Sequence, residues 1–136
     1  MDRSVMQRKL ESLRRCLQRL RERRPDSAAA LAIDEDLQDV LVLNLSRAVQ
    51  LCVDIGAHLL ADSEQPVPTT MGETFVGLAA TGLIDGELAA RLRRAVGFRN
   101  IAVHNYETMD WNIVYGLAGA PLSDFEAFAA AVAAKA

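Results

Sequence analysis

Residues 34–61 read DEDLQDVLVLNLSRAVQLCVDIGAHLLA, and Leu37, Val40, Leu41, Leu45, Val49, Cys52, Ile55 and Leu59 fall there at three- and four-residue steps. Apolar recurrence at that period marks an amphipathic helix. A segment this long, opened by acids between Asp34 and Asp36, predicts the spine of a helical bundle.

The flanks extend the same pattern. Upstream, Val5, Leu10, Leu13, Leu17 and Leu20 predict a helix from about Arg3 to Arg24, stopped by Pro25-Asp-Ser27 and followed by a polar, Ala-rich connection. Downstream, Pro66 and Pro68 end the long helix, Thr69 or Thr70 caps a short one through Ala80, and Gly82 breaks it. Asp85 then N-caps a fourth helix carrying Leu88, Leu92, Val96, Ile101 and Val103. The last portion begins near Asp110, is interrupted at Gly119-Ala-Pro121, and resumes at Ser123-Asp-Phe-Glu126, which has the spacing of a capping box.

Composition agrees with helices. The chain has 136 residues, 51% of them hydrophobic and only 5% aromatic, so Ala and Leu supply most of the apolar mass. The expected fold is all-α, an up-and-down bundle of four or five helices with almost no strand, formed as a single domain over residues 1–136. Charged residues interrupt the apolar runs before the roughly 20 residues a membrane span needs, so a soluble, cytoplasmic protein is expected. Cys16 and Cys52 sit within helical apolar patterns, as small buried hydrophobes would.

The formal net charge of -3 argues against global attraction to nucleic acid, but the charge is unevenly distributed. Residues 1–24 hold nine Arg or Lys against three acids, a net +6, which leaves the remainder at -9. The basic helix reads either as a solvated face opposite an apolar stripe or as a path for RNA phosphates.

On the fourth helix, Leu88, Leu92, Val96, Arg99, Val103 and Tyr106 project onto one stripe, so Arg99 interrupts an apolar seam. A guanidinium there must meet an acid, face a cleft or line a subunit interface. His104 shares a polar face with Arg93, Gly97 and Asn100. Five residues separate Arg99 from His104, about 140° around an ideal helix, so a long Arg side chain, a helix end or a second subunit must bring them together.

Residues 99–106 read Arg99-Asn-Ile-Ala-Val-His104-Asn-Tyr106, which resembles the Arg-x-x-x-x-His-x-Tyr signature of HepT-like proteins of the HEPN superfamily. Leu43-Asn-Leu45, Asp54-Ile-Gly-Ala-His58, Phe98-Arg-Asn-Ile101 and Asp124-Phe-Glu126 are similar to the same family, which extends the resemblance over nearly the whole chain. Gly119-Ala-Pro121 departs from it, because the family's last helix looks continuous there.

The resemblance implies a HEPN-like bundle and a metal-independent endoribonuclease that acts as a homodimer and cleaves RNA by attack of its own 2′-hydroxyl. Arg99 would hold the scissile phosphate, and His104 would take a proton from the attacking hydroxyl or give one to the leaving oxygen. Asn100 and Asn105 would support them by hydrogen bonds, although Asn near a helix end also serves as a simple cap. The resemblance further implies a cognate minimal nucleotidyltransferase antitoxin of the MntA type that transfers AMP from ATP onto Tyr106, whose other reading is a packing tyrosine. No cofactor is implied. His58 and His104, the only histidines, lack a His partner at helical ligand spacing, so no metal site is expected. Asp54 and His58 read as an ordinary helix-surface pair, while Asn44 and Arg47 are candidates to face the cleft.

A second function class fits the same pattern: a catalytically silent helical adaptor that binds a nucleotidyltransferase or a nucleotide through the same polar cleft. An adaptor has no need of an acid–base group, so the joint presence of Arg99 and His104 favours the ribonuclease.

Overall fold

Arg3–Arg23 forms α1, whose start is capped by Asp2, the Oδ1 atom accepting from the Ser4 and Val5 amides. In the computed structural model, which describes residues 2–135, α1 is followed by α2 (Ala28–Ala32), α3 (Glu35–Ala61), α4 (Met71–Ala80), α5 (Gly86–His104), a single 3₁₀ turn (Tyr106–Thr108), α6 (Trp111–Leu117) and α7 (Leu122–Lys135). No strand occurs among the described residues.

Local chemistry accounts for most boundaries. Asp34, Thr70 and Asp85 each place a side-chain oxygen on the amide three residues on, satisfying a donor that the first helical turn leaves free. Gly82, at φ 82°, makes the left-handed turn between α4 and α5. The Ala-rich connection is shorter than expected, because Ser27 caps the brief α2 by accepting from the Ala30 amide.

The expected capping box at Ser123 does not form. Ser123 lies inside the first turn of α7, its hydroxyl donates to the Ala120 carbonyl at 2.9 Å, and Glu126 pairs with Arg21 of α1. The break at Gly119-Ala-Pro121 has a packing reason. The Arg24 guanidinium lies 3.7 Å above the Tyr115 ring and donates through Nε to the Tyr115 carbonyl, and a Cβ on Gly119 would stand 2.9 Å from Arg24 Nη2.

α3 is the axis. α1 packs along it, α4 and α5 form a second layer, and α7 closes the bundle. Leu41, Leu45, Val49, Cys52 and Ile55 on α3 meet Leu13, Leu17 and Leu20 of α1, Phe75 and Leu78 of α4, and Phe128 and Val132 of α7 in one core. Phe75 and Phe128 pack edge to face at 6.1 Å, joining α4 to α7. By length and composition alone α3 is apolar enough to cross a membrane, but 56% of its apolar window is buried inside the bundle, where it serves as the spine. Both cysteines are free and buried, and burial pushes both thiols above their ordinary range.

Candidate active site

The octet 99–106 spans the exit of α5. Its helix is set by Asp85 at one end and stops where Asn105 takes φ -141° and ψ 47°, its amide donating to the Ile101 carbonyl at 2.8 Å. The Asn105 carbonyl then accepts from the Thr108 hydroxyl at 2.8 Å, which tightens the 3₁₀ turn carrying Tyr106. Asn105 is thus the C-cap residue of α5.

The apolar seam follows the sequence only to Val96. Leu88, Leu92, Val96 and Phe98 are buried, but Val103 is 52% exposed and Ile101 47% exposed, contrary to the core positions expected for them. Phe98 and Ala102 keep these turns packed on the core, and Ile101 and Val103 lie on the outer face of the same turns. Arg99 is half-buried at the boundary, and Asn100 and His104 are exposed. Among the described residues no carboxylate lies within 4.0 Å of the Arg99 guanidinium, which leaves the cleft and the interface among its expected environments. Because α5 is regular through His104, Arg99 and His104 still point to different sides of one helix.

Tyr106 is anchored by residues the sequence did not single out. Its hydroxyl donates to Asp39 Oδ1 at 2.9 Å, and its ring meets Trp111 edge to face at 6.0 Å. Burial of the phenol, followed by the hydrogen bond to Asp39 and the negative charges of Asp39 and Glu35, pushes its pKa up to about 12. In sequence, Asp39 looks like any acid near the start of a helix, where the dipole favours one. The proposed surface pair of Asp54 and His58 has a different arrangement: Asp54 accepts from Gln50 at 2.9 Å and faces Lys9 at 3.8 Å.

Two concave regions border α3. A mostly apolar pocket of about 550 Å³ lies against α5, lined by Gly97, Phe98 and Ile101 together with Met109, Ile113 and Leu117. An open groove of about 790 Å³ runs between α1 and α3, and Asn44 and Arg47 face this groove. Among the described residues no three His, Cys, Asp or Glu side chains gather as a metal site would require.

An all-α bundle that presents an Arg-x-x-x-x-His-x-Tyr octet at the end of a long helix defines the HEPN class of protein. The Ribonuclease HepT-like family model matches residues 10–132, and the chain belongs to that family. It is an endoribonuclease. The mRNA nuclease HepT of Shewanella oneidensis is 34% identical over 120 residues, covering 88% of this chain and 90% of that protein. The tRNA nuclease HepT of Aphanizomenon flos-aquae is 31% identical over 71 residues, 52% of this chain and 48% of that one. Among solved structures, a tri-AMPylated Shewanella oneidensis HEPN toxin in complex with its MNT antitoxin superposes with a TM-score of 0.90 at 32% identity, covering 98% of this chain and 99% of that one. A toxin–antitoxin structure with AMP-PNP also superposes at 0.90, with 31% identity over 96% of this chain and 98% of that one.

Proposed function

We propose that two copies of this chain pair through the exposed face of the last turns of α5 and cleave RNA in the cleft between them, with Arg99 and His104 as the catalytic groups. The observation that carries this reading is the coincidence of chemistry and uncovered apolar surface. Arg99 and His104 share the last turns of α5 with Ile101 and Val103, both about half exposed, and Ile113 on α6 is 57% exposed. A second copy would cover the apolar residues and set one chain's Arg99 opposite the other's His104, overcoming their divergence on a single helix.

In the reaction, the RNA 2′-oxygen attacks the adjacent phosphorus, the bond to the 5′-oxygen breaks, and a cyclic phosphate and a 5′-hydroxyl result. One His104 takes the 2′-hydroxyl proton and the His104 of the second copy gives one to the leaving oxygen. Arg99 holds the equatorial oxygens, a role worth about 2–4 kcal/mol at the transition state. Asn100, exposed one residue after Arg99, orients the phosphate, and Asn105 supports the site through the backbone turn that it caps. The protein acts in the cytoplasm.

Tyr106 is the acceptor for AMP from a cognate MntA-type nucleotidyltransferase antitoxin. The tri-AMPylated state of the Shewanella oneidensis toxin supports this, as does a phenol held at the surface by Asp39 within two residues of His104. Phosphates attached there would compete with the RNA phosphate for Arg99.

The test is incubation of purified wild type and His104→Ala with total RNA in EDTA, after circular dichroism confirms that both are folded. Cleavage by wild type alone is expected. Equal cleavage by both would refute the role of His104, and an inactive, unmodified wild type would favour the silent adaptor.

A further inference from the structure

We infer that the groove between α1 and α3 is a binding track for the RNA phosphate backbone, an inference that rests on the ribonuclease reading above. Arg15 and Arg19 line one wall of the groove and Arg47 the other, over an apolar floor of Val40, Leu43 and Leu51. Among the described residues neither Arg19 nor Arg47 has a carboxylate within 4.0 Å, and Arg15 has only Glu11, which it shares with Arg14. The two acids in the groove are already engaged: Glu22 accepts from Gln18 and Asp54 from Gln50, each at 2.9 Å. Arg15, Arg19 and Arg47 thus outnumber the two groove acids, of which Asp54 also faces Lys9, so the groove carries a local positive excess despite the chain's net charge of -3.

The course of the groove selects its occupant. Lys9 faces Asp54, and the Arg47 charge acts on the Cys16 thiol, so α1 and α3 run antiparallel. By that register Arg19 stands near Asn44 and Glu22 near Val40, so arginines from α1 and α3 face the same channel. At the other end a shallower depression shares Ser12 and Arg15 and continues to Ser4 and Arg8. Together they follow α1 from Ser4 to Glu22, about 27 Å at the helical rise. A long open channel with arginines on both walls fits an extended polyanion whose phosphates accept guanidinium hydrogen bonds.

The test compares Arg19→Gln/Arg47→Gln with Arg3→Gln/Arg23→Gln, which removes the same charge from α1 outside the groove. Binding of a fluorescein-labelled oligouridylate is measured in the His104→Ala background, and cleavage of the same RNA with His104 intact. The groove pair is expected to weaken binding about tenfold and to lower the slope of log affinity against log salt by about 1.4, two contacts at about 0.7 each for a single strand. Its cleavage defect should fall on KM, with kcat within about twofold, as loss of uniform binding requires. Equal binding by the two double variants would overturn the track. So would unchanged RNA binding accompanied by loss of binding to the purified nucleotidyltransferase, which would make the groove a protein-docking surface. If wild type binds RNA through the groove but never cleaves it, the track stands and the catalytic reading fails.

Discussion

The Tyr106 hydroxyl donates to Asp39 Oδ1 across 67 residues of sequence, which ties the 3₁₀ turn after α5 to the first turns of α3. A neutral phenol satisfies that acceptor and a phenolate does not, so the contact orients the tyrosine and keeps it protonated. Because the folded pKa is raised from 10.0 to about 12, the contribution of Tyr106 to stability is fully present below pH 10 and lost as pH rises through about 12. Asp39→Asn keeps an acceptor but removes the charge. Ultraviolet titration of the phenols should therefore show one tyrosine shifting part of the way toward 10 in that variant, and an unchanged curve would leave burial as the whole cause.

The half-exposed apolar face of α5 predicts a pair that is needed for cleavage. Ile101→Glu/Val103→Glu replaces two half-exposed apolar side chains with acids, which a two-fold axis would bring against their own copies. Light scattering should report a folded monomer whose RNA cleavage has fallen at least 100-fold, roughly the loss of one phosphate-stabilising group. A fully active monomer would show that one chain holds a complete site.

Arg99 should not tolerate lysine. Its proposed task is two-point recognition of a phosphate, which the planar guanidinium performs and a point-charge ammonium does not. Arg99→Lys should retain the fold by circular dichroism and lose about 10-fold to 100-fold in kcat, whereas activity equal to wild type would reduce Arg99 to a source of positive charge.

Two glycines separate packing from propensity. A Cβ on Gly56 would stand 2.6 Å from Thr74 Cγ2 and 2.9 Å from Leu78 Cδ1, where α3 crosses α4. Gly56→Ala should cost about 1–3 kcal/mol, the usual effect of overpacking. Gly97 has nothing within 4 Å of the same added atom, so Gly97→Ala should stabilise α5 by up to about 1 kcal/mol in the isolated chain. Denaturant unfolding of the two variants measures the contrast.

The cap of the motif helix should matter for stability more than for chemistry. Asp85 Oδ1 accepts from the Leu88 amide at 2.7 Å, more than four helical turns from His104. Asp85→Ala should lower stability by about 1 kcal/mol, read as a fall in melting temperature, with kcat unchanged at a temperature where the protein is folded.

Sequence alone determined the elements and the composition of the motif. The 3.6-residue recurrence along α3, the caps at Asp34, Thr70 and Asp85, the stop at Gly82 and the Arg99–His104–Tyr106 spacing involve residues within a turn or two of one another, so their hydrogen bonds and apolar faces are encoded locally. Local pattern also has a limit, visible at Ser123, where capping-box spacing was outweighed by the Gly119–Pro121 break and by the pull of Glu126 toward Arg21. Periodicity assigned Ile101 and Val103 to a face but could not say that the face stays half exposed, since coverage depends on how the neighbouring helices are placed. The Tyr106–Asp39 contact, the antiparallel register of α1 on α3 and the arginine groove between them were decided only by tertiary packing, which joins side chains tens of residues apart through helix crossings that no local hydrogen bond or repeat specifies.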